Sequence, residues 1–245
     1  MTNVLEVRKL SAGYGPLRVL HDIDLAVAEG QRVGLVGLNG HGKTTFLRSL
    51  MGLVDWRQGE IEFDGKSIIR TPAHRLARAG IVLVPQGDAL FPGLSVKDNL
   101  DSGAFSSGWR DRKRKRERVT RLFPRLAERL DQAAGTLSGG ERRMCSLGRG
   151  LMTDARVYLL DEPSLGLAPG ISAGLYSTLR ELDLEGGTLL IAEQNQSLLE
   201  GWIDRIVRMH GGHIVGEEPG SVVSNGTPAA GTGEGETQQP DESEA

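Results

Sequence analysis

The sequence predicts an α/β fold with an antiparallel β-layer on its N-terminal side and an inserted helical subdomain. Three observations carry that expectation. The first is the stretch Gly37-Leu38-Asn39-Gly40-His41-Gly42-Lys43-Thr44-Thr45, which fits G-x-x-x-x-G-K-[ST]. An apolar run from Val33 to Val36 precedes it as a buried strand, and a helical pattern at Phe46, Leu47, Leu50 and Met51 follows. The second is Val157-Tyr158-Leu159-Leu160, another buried strand, which ends on the adjacent carboxylates Asp161 and Glu162. The third is a set of β-like stretches near the N-terminus, closed by a hairpin over Gly59 to Ile68 whose Asp64-Gly65 suits a type I′ turn.

The glycine-rich loop has chemistry as well as shape. Glycines at 37, 40 and 42 let the backbone curl until its N–H groups point inward at a phosphate chain, and the helix start adds partial positive charge. Asn39, His41 and Thr45 belong to the same nucleotide-binding stretch, and at 41 the main chain makes the contacts, so an imidazole there is tolerable. Lys43 reaches for β- and γ-phosphates, and Thr44 for Mg²⁺.

Composition narrows the partners. The 245 residues can bury a large core, as one domain or one domain carrying a subdomain. A net charge of −3 and a pI near 6.0 give no overall pull toward nucleic acid. A single cysteine, Cys145, excludes an intrachain disulfide or a cysteine-cluster metal site and reads as a small buried residue. The first residues lack a basic-then-apolar signal pattern, and no run reaches the ~20 apolar residues that span a bilayer. Work at a membrane therefore calls for another chain as anchor.

In order, the chain begins with strands at Leu5 to Leu10 and Val19 to Val27, the second with Ile23, Leu25 and Val27 alternating. Ser11 to Gly15 reads as the turn between them, presenting the Tyr14 ring where it can stack on an adenine. Arg75 to Ala79 reads as a short helix, then Ile81 to Val84 as a strand ending at Pro85-Gln86-Gly87, which puts Gln86 where open α/β sheets place site residues. From residue 88 the chain turns helical and charge-dense. Arg110, Arg112, Lys113, Arg114, Lys115, Arg116 and Arg118 crowd one segment, ahead of apolar positions Val119, Leu122, Phe123, Leu126 and Leu130. Asp111 and Glu117 interrupt the basic run and no aromatic ladder accompanies it, so it reads as a solvated helix face, with a place near lipid headgroups left open, rather than a dedicated nucleic-acid or anionic-lipid patch.

Thr136-Leu137-Ser138-Gly139-Gly140-Glu141 opens a helix marked by Met144, Leu147 and Leu151. The Ser138 hydroxyl and the free N–H groups around Gly139 and Gly140 make a second phosphate-binding element. Asp161 suits Mg²⁺, held through water, and Glu162 can deprotonate a water attacking a γ-phosphate. A closing hairpin follows at Ile206 to Met209 and His213 to Gly216 around Gly211-Gly212. Residues 219–245 read as a disordered acidic tail. His21, His74, His210 and His213 have no metal-ligand company in the sequence.

These residues resemble the ATP-binding subunits of ABC transporters. Leu137-Ser138-Gly139-Gly140-Glu141 is similar to that family's signature, and the order Tyr14, P-loop, Gln86, signature, Asp161-Glu162 matches its order of motifs over residues 1–218. The resemblance implies a RecA-like core over 1–218, with the helical subdomain at about 88–152. It implies ATP and Mg²⁺ as ligands, Lys43, Gln86, Glu162 and Gln194 as the catalytic set, and Thr44, Gln86 and Asp161 around the metal. It also implies two ATPase subunits facing head to tail, each ATP lying between one P-loop and the other subunit's Ser138-Gly139-Gly140. Integral-membrane permease subunits, an external solute-binding protein and a peripheral place on the cytoplasmic face of the cell membrane follow from the same likeness.

Two departures sharpen it. The loop after Glu162 (Pro163-Ser164-Leu165-Gly166-Leu167-Ala168-Pro169) lacks the family's usual Asp, and Gln194 stands at the switch position where a histidine is common. Both resemble the ATPase subunits of branched-chain amino-acid importers and of their urea- or amide-importing relatives, and Gln86-Gly87 leans to the urea branch. Arg142, Arg143 and Gly150 also leave the commonest pattern. A non-transport ABC ATPase acting on nucleic acid or ribosomes usually adds coiled coils, zinc modules or a second cassette. A Rossmann oxidoreductase needs G-x-G-x-x-G in place of G-K-T.

Overall fold

The computed structural model describes residues 2–105 and 107–220. Strands β1 (Asn3–Tyr14) and β2 (Leu17–Ala28) form a long hairpin, and β3 (Arg32–Val36) leads through the glycine-rich loop into α1 (Lys43–Leu50). Then come β4 (Trp56–Phe63), β5 (Lys66–Ser67), α2 (Ala73–Ala79) and β6 (Ile81–Val84). Helices α3 (Val96–Gly103), α4 (Trp109–Leu122), α5 (Pro124–Ala127) and α6 (Gly139–Leu151) separate β6 from β7 (Val157–Asp161). The chain continues through α7 (Pro169–Arg180), β8 (Thr188–Glu193), β9 (Arg205–His210) and β10 (His213–Pro219).

Two sheets result. A four-stranded antiparallel sheet has the order β2-β1-β4-β5, and a six-stranded sheet the order β10-β9-β3-β8-β7-β6. In the second, β9, β3, β8, β7 and β6 run parallel and only β10 is antiparallel. Its central strands are apolar on both faces, as a sheet covered on both sides requires. Along β8, Leu190 and Ala192 join the core shared with α1 and the antiparallel layer, while Leu189 and Ile191 join the core under the helices. The antiparallel layer with α1 and α2, and the helices α3 to α7, therefore sit on opposite faces of one sheet.

Several local features follow from the sequence in detail. Asp64 and Gly65 take φ of 54° and 68°, the two left-handed residues a type I′ hairpin demands. In β2 a bulge at Asp22, φ 49°, breaks the alternation, so that Leu20 and Ile23 both face inward three residues apart. The turn expected over Ser11 to Gly15 is shorter than the sequence suggests. Strand β1 runs on to Tyr14, where it pairs with Leu17, because a register shift between Ala12 and Gly13 absorbs the glycine. Gly13 is required there: a Cβ would lie 1.9 Å from the Leu17 carbonyl oxygen.

Helix α7 is an element the sequence reading did not place. Pro169 opens it, and Ser172, Leu175, Tyr176 and Leu179 form its buried stripe. At the far end β10 extends to Pro219, one residue into the stretch read as an acidic tail; residues 221–245 lie outside those described.

The basic run lies on α4 and is largely consumed by neighbouring acids. Lys115, buried, bonds Asp154 at 2.7 Å and Asp111 at 3.1 Å, Arg116 pairs with Asp101 at 2.5 Å, and Arg118 with Glu185 at 3.0 Å. Cys145 is fully buried on α6, and that burial pushes its thiol up to about 12. Among the described residues no helix is long and apolar enough to cross a membrane.

Candidate functional site

The sheet brings four strand ends together. β3, β8, β7 and β6 are adjacent and parallel, so the residues after each C-terminus line one edge: the glycine-rich loop, Gln194, Glu162 and Gln86. This is where an open α/β sheet leaves a crevice for a ligand.

The loop from Gly37 to Gly42 folds over this edge. The Gly37 N–H donates to the Glu193 carbonyl at 3.3 Å, and the His41 N–H to Leu38 at 3.2 Å. The His41 carbonyl accepts from Gly212, its Nδ1 lies 3.1 Å from the Met209 carbonyl, and its ring meets His210 edge-on. His41 thus anchors the outer side of the loop to the β9–β10 turn. Gly42, at φ 96°, turns the chain into α1, whose N-terminus has no side-chain cap. Its first-turn N–H groups are left to face an anion. Asn39 and Gly40 are exposed at the lip, and Thr45 is buried behind it.

Four side chains converge behind the loop. Lys43 Nζ donates to the carbonyls of Gly37 at 2.7 Å and Leu38 at 3.1 Å and pairs with Glu162 Oε1 at 2.9 Å, both side chains almost fully buried. Gln86 Nε2 donates to the other Glu162 oxygen at 3.2 Å. Thr44 Oγ1 donates to Asp161 Oδ1 at 2.9 Å. Asp161 Oδ2 is buried with no hydrogen-bond partner among the described residues. Burial raises the Asp161 carboxyl above the usual carboxylate range against the Thr44 bond, and the neighbouring Glu162 charge adds to the rise. A buried carboxylate oxygen without a donor, beside a threonine hydroxyl, suits a hard divalent cation. Thr44, Asp161 and the nearby Gln86 therefore fit Mg²⁺.

Glu162 adopts φ 44°, unusual for a residue with a side chain. Its N–H donates to the Ala192 carbonyl at 3.0 Å, and its own carbonyl accepts from Arg143 at 2.8 Å. Next to it, Glu193 is buried. Its Oε1 accepts from the Ser164 hydroxyl at 2.9 Å and from the Tyr176 phenol, and its Oε2 from the Gln194 N–H at 3.1 Å. Burial and the Glu193 charge push the Tyr176 phenol up. Glu193 thereby ties the loop after Glu162 to the start of the Gln194 loop. Glu193 is a site residue that its local sequence marks only as a carboxylate closing an apolar strand.

The remaining expected residues lie apart. Tyr14 is half-buried at the β1–β2 turn, with no hydrogen bond to the loop. Ser138 is exposed as the N-cap of α6 in a reciprocal capping box with Glu141, followed by Gly139 and Gly140. None of these three bonds to Lys43 or Glu162. The Gln194 side chain is exposed and makes no hydrogen bond among the described residues.

A phosphate-cradling loop, a hydroxyl–carboxylate pair suited to a metal and a poised glutamate on one sheet edge define a P-loop nucleoside-triphosphatase. The family model for "ABC transporter" matches residues 20–165. The chain is 38% identical over 220 residues to the high-affinity branched-chain amino acid transport ATP-binding protein BraG of Pseudomonas aeruginosa, covering 90% of this chain and 94% of that protein. It is 34% identical over 199 residues to a probable branched-chain amino acid transport ATP-binding protein, LivF, of Archaeoglobus fulgidus, covering 80% and 84%. The crystal structure of the ADP conformation of an ATP-binding cassette of an ABC transporter superposes with a TM-score of 0.75 at 27% identity, over 90% of this chain and 92% of that one. The chain belongs to the ABC transporter ATP-binding family, and it is an ATPase cassette of the nucleotide-binding kind.

Proposed function

We propose that this chain is the motor subunit of an importer for branched-chain or other hydrophobic amino acids, bound to the cytoplasmic face of a membrane through permease subunits. The observation that carries the motor reading is Glu162, held between Lys43 and Gln86 beside the Thr44–Asp161 pair. Likeness to BraG and LivF supports the solute class.

The residues take the following roles. The loop from Gly37 to Thr45 wraps the phosphates with its N–H groups, and Lys43 exchanges its carbonyl partners for β- and γ-phosphate oxygens. Glu162, released from Lys43, accepts the proton of the attacking water. Gln86 orients that water, and Thr44, Gln86 and Asp161 would hold Mg²⁺. The ion would supply positive charge against the phosphate oxygens. Tyr14 stacks on the adenine. Gln194 offers the γ-phosphate a neutral amide donor, which cannot change charge with pH as a histidine does. Ser138, Gly139 and Gly140 reach the ATP held by a second ATPase subunit.

The test is reconstitution of the chain with its co-purifying permease in proteoliposomes, with the external binding protein added. ATP-dependent uptake of leucine is expected. Glu162→Gln should bind MgATP as wild type does yet lose hydrolysis and uptake by about 100-fold or more, since the amide cannot take the proton. Uptake of urea or short amides in place of leucine moves the solute to that branch. Hydrolysis without uptake of either, or co-purification with ribosomes, contradicts the importer reading.

A further inference from the structure

Arg143 has no place in the roles above, although it is only 3% exposed and lies at the centre of the site's supporting shell. A guanidinium has five N–H donors in a rigid fork. Here every one meets a main-chain carbonyl. Nε donates to Pro163 at 2.9 Å; Nη1 donates to Pro85 at 2.9 Å and to Gly87; Nη2 donates to Asp161 at 2.9 Å and to Glu162 at 2.8 Å. Those carbonyls belong to two loops that flank Gln86 on one side and follow β7 through Glu162 on the other. Among the described residues no carboxylate pairs with the guanidinium at salt-bridge distance, and burial lowers its proton affinity. A lone buried cation is costly unless its hydrogen bonds are complete. The five carbonyl dipoles complete them.

The geometry points to Arg143 as a positioning residue for ATP hydrolysis. It fixes the main chain on both sides of Gln86 and at Glu162 to the helix that begins at Ser138. Three observations converge on this. Glu162 sits at φ 44°, a conformation that surroundings must hold, and its carbonyl is held by Arg143. The Gln86 side chain meets Glu162 at 3.2 Å, and the carbonyls of its neighbours Pro85 and Gly87 both accept from the same guanidinium. Arg143 lies in the second turn of α6, whose N-cap is the exposed Ser138. One side chain therefore links the helix end offered to a second subunit with the base of this chain's own site. Neither a lysine, with three donors about one nitrogen, nor a glutamine, with two, can span both loops in this way.

The proposal rests on the ATPase reading of the site and makes a separate demand on it. Arg143→Lys and Arg143→Met are compared with wild type and with Glu162→Gln, using the full chain with its co-purifying subunits. The measurements are ATP Kd, KM, kcat and peptide-resolved amide hydrogen exchange. Both variants should keep ATP Kd and KM within about twofold, while kcat falls on the order of tenfold to a hundredfold through misplacement of the base. Exchange should quicken in residues 85–89 and 161–165 but not in 43–50 or 188–192. Turnover within about twofold of wild type in both variants, with Glu162→Gln inactive, overturns this proposal and leaves the ATPase reading standing. Unfolding of both variants, or loss of ATP affinity in step with kcat, assigns Arg143 to folding alone and also overturns it. Equal turnover in Glu162→Gln and wild type defeats the ATPase reading itself, and the exchange pattern then decides whether Arg143 still holds the loops.

Discussion

Asp161 carries a direct conflict between folding and chemistry. One of its oxygens accepts from Thr44, while the other is buried with no hydrogen-bond partner among the described residues. An acceptor left like this costs roughly 1–3 kcal/mol, more when charged. Its retention makes sense if a cation completes the site. Asp161→Asn keeps an acceptor for Thr44 and removes the buried charge. It should raise the Tm of the nucleotide-free chain by about 2–4 °C, the shift expected for ~1 kcal/mol in a domain of this size. Thermal stabilisation by MgATP over ATP with EDTA should vanish in the same variant. An unchanged or lower Tm, with the Mg²⁺ effect intact, would remove Asp161 from the metal site.

At the scale of elements, helix α6 joins most of the parts. Its N-cap Ser138 and its third residue Glu141 satisfy each other's main-chain N–H groups, and Arg129 pairs with the Glu141 carboxylate at 2.7 Å. The Ser138 N–H, then the Ser138 hydroxyl, hold the Glu141 carboxyl below its ordinary range. The sign follows: a depressed folded pKa gives stability that is fully present above the unfolded value and is lost as pH falls through the folded one. Glu141→Gln should therefore cost ~1 kcal/mol near neutrality. The deficit should close as pH falls from the ordinary carboxylate range through the lowered folded value, where the wild-type carboxylate also protonates. Thermal melts from pH 3 to 7 check this, and a deficit independent of pH would show that the charge has no part in the cap. The same helix marks where reading the sequence stops. Ser138 was legible as a helix start because a cap is local, its partner Glu141 lying three residues on in the chain. Arg143 was visible only as a departure from a pattern, since its partners come from residues 85–87 and 161–163. Helix α7 had a readable stripe at 172, 175, 176 and 179, but two of its four positions are a serine and a tyrosine, which blurred the apolar period.

Over the whole molecule, the sheet explains both what was legible and what was not. The glycine-rich loop and Asp161-Glu162 each follow a short apolar run, so their placement at strand ends could be inferred from neighbours in sequence. That the strands stand in the order β3-β8-β7-β6, with Lys43 at 2.9 Å from Glu162 across the sheet, is a matter of non-local pairing that no window of sequence contains. The same topology leaves Ser138 exposed on α6 without a bond to this chain's own loop. We propose that its use lies in the site of another subunit, because a loop that binds phosphates from one side needs donors on the other to position them for transfer. The most direct test pairs this chain with its natural ATPase partner and introduces Ser138→Arg into this chain alone, following hydrolysis at each nucleotide separately. Turnover of the nucleotide on the partner's P-loop should fall on the order of a hundredfold, with its binding and the nucleotide on this chain's Lys43 little affected. Loss confined to the nucleotide bound by this chain's own Lys43, with the partner's turning over normally, would contradict the shared site.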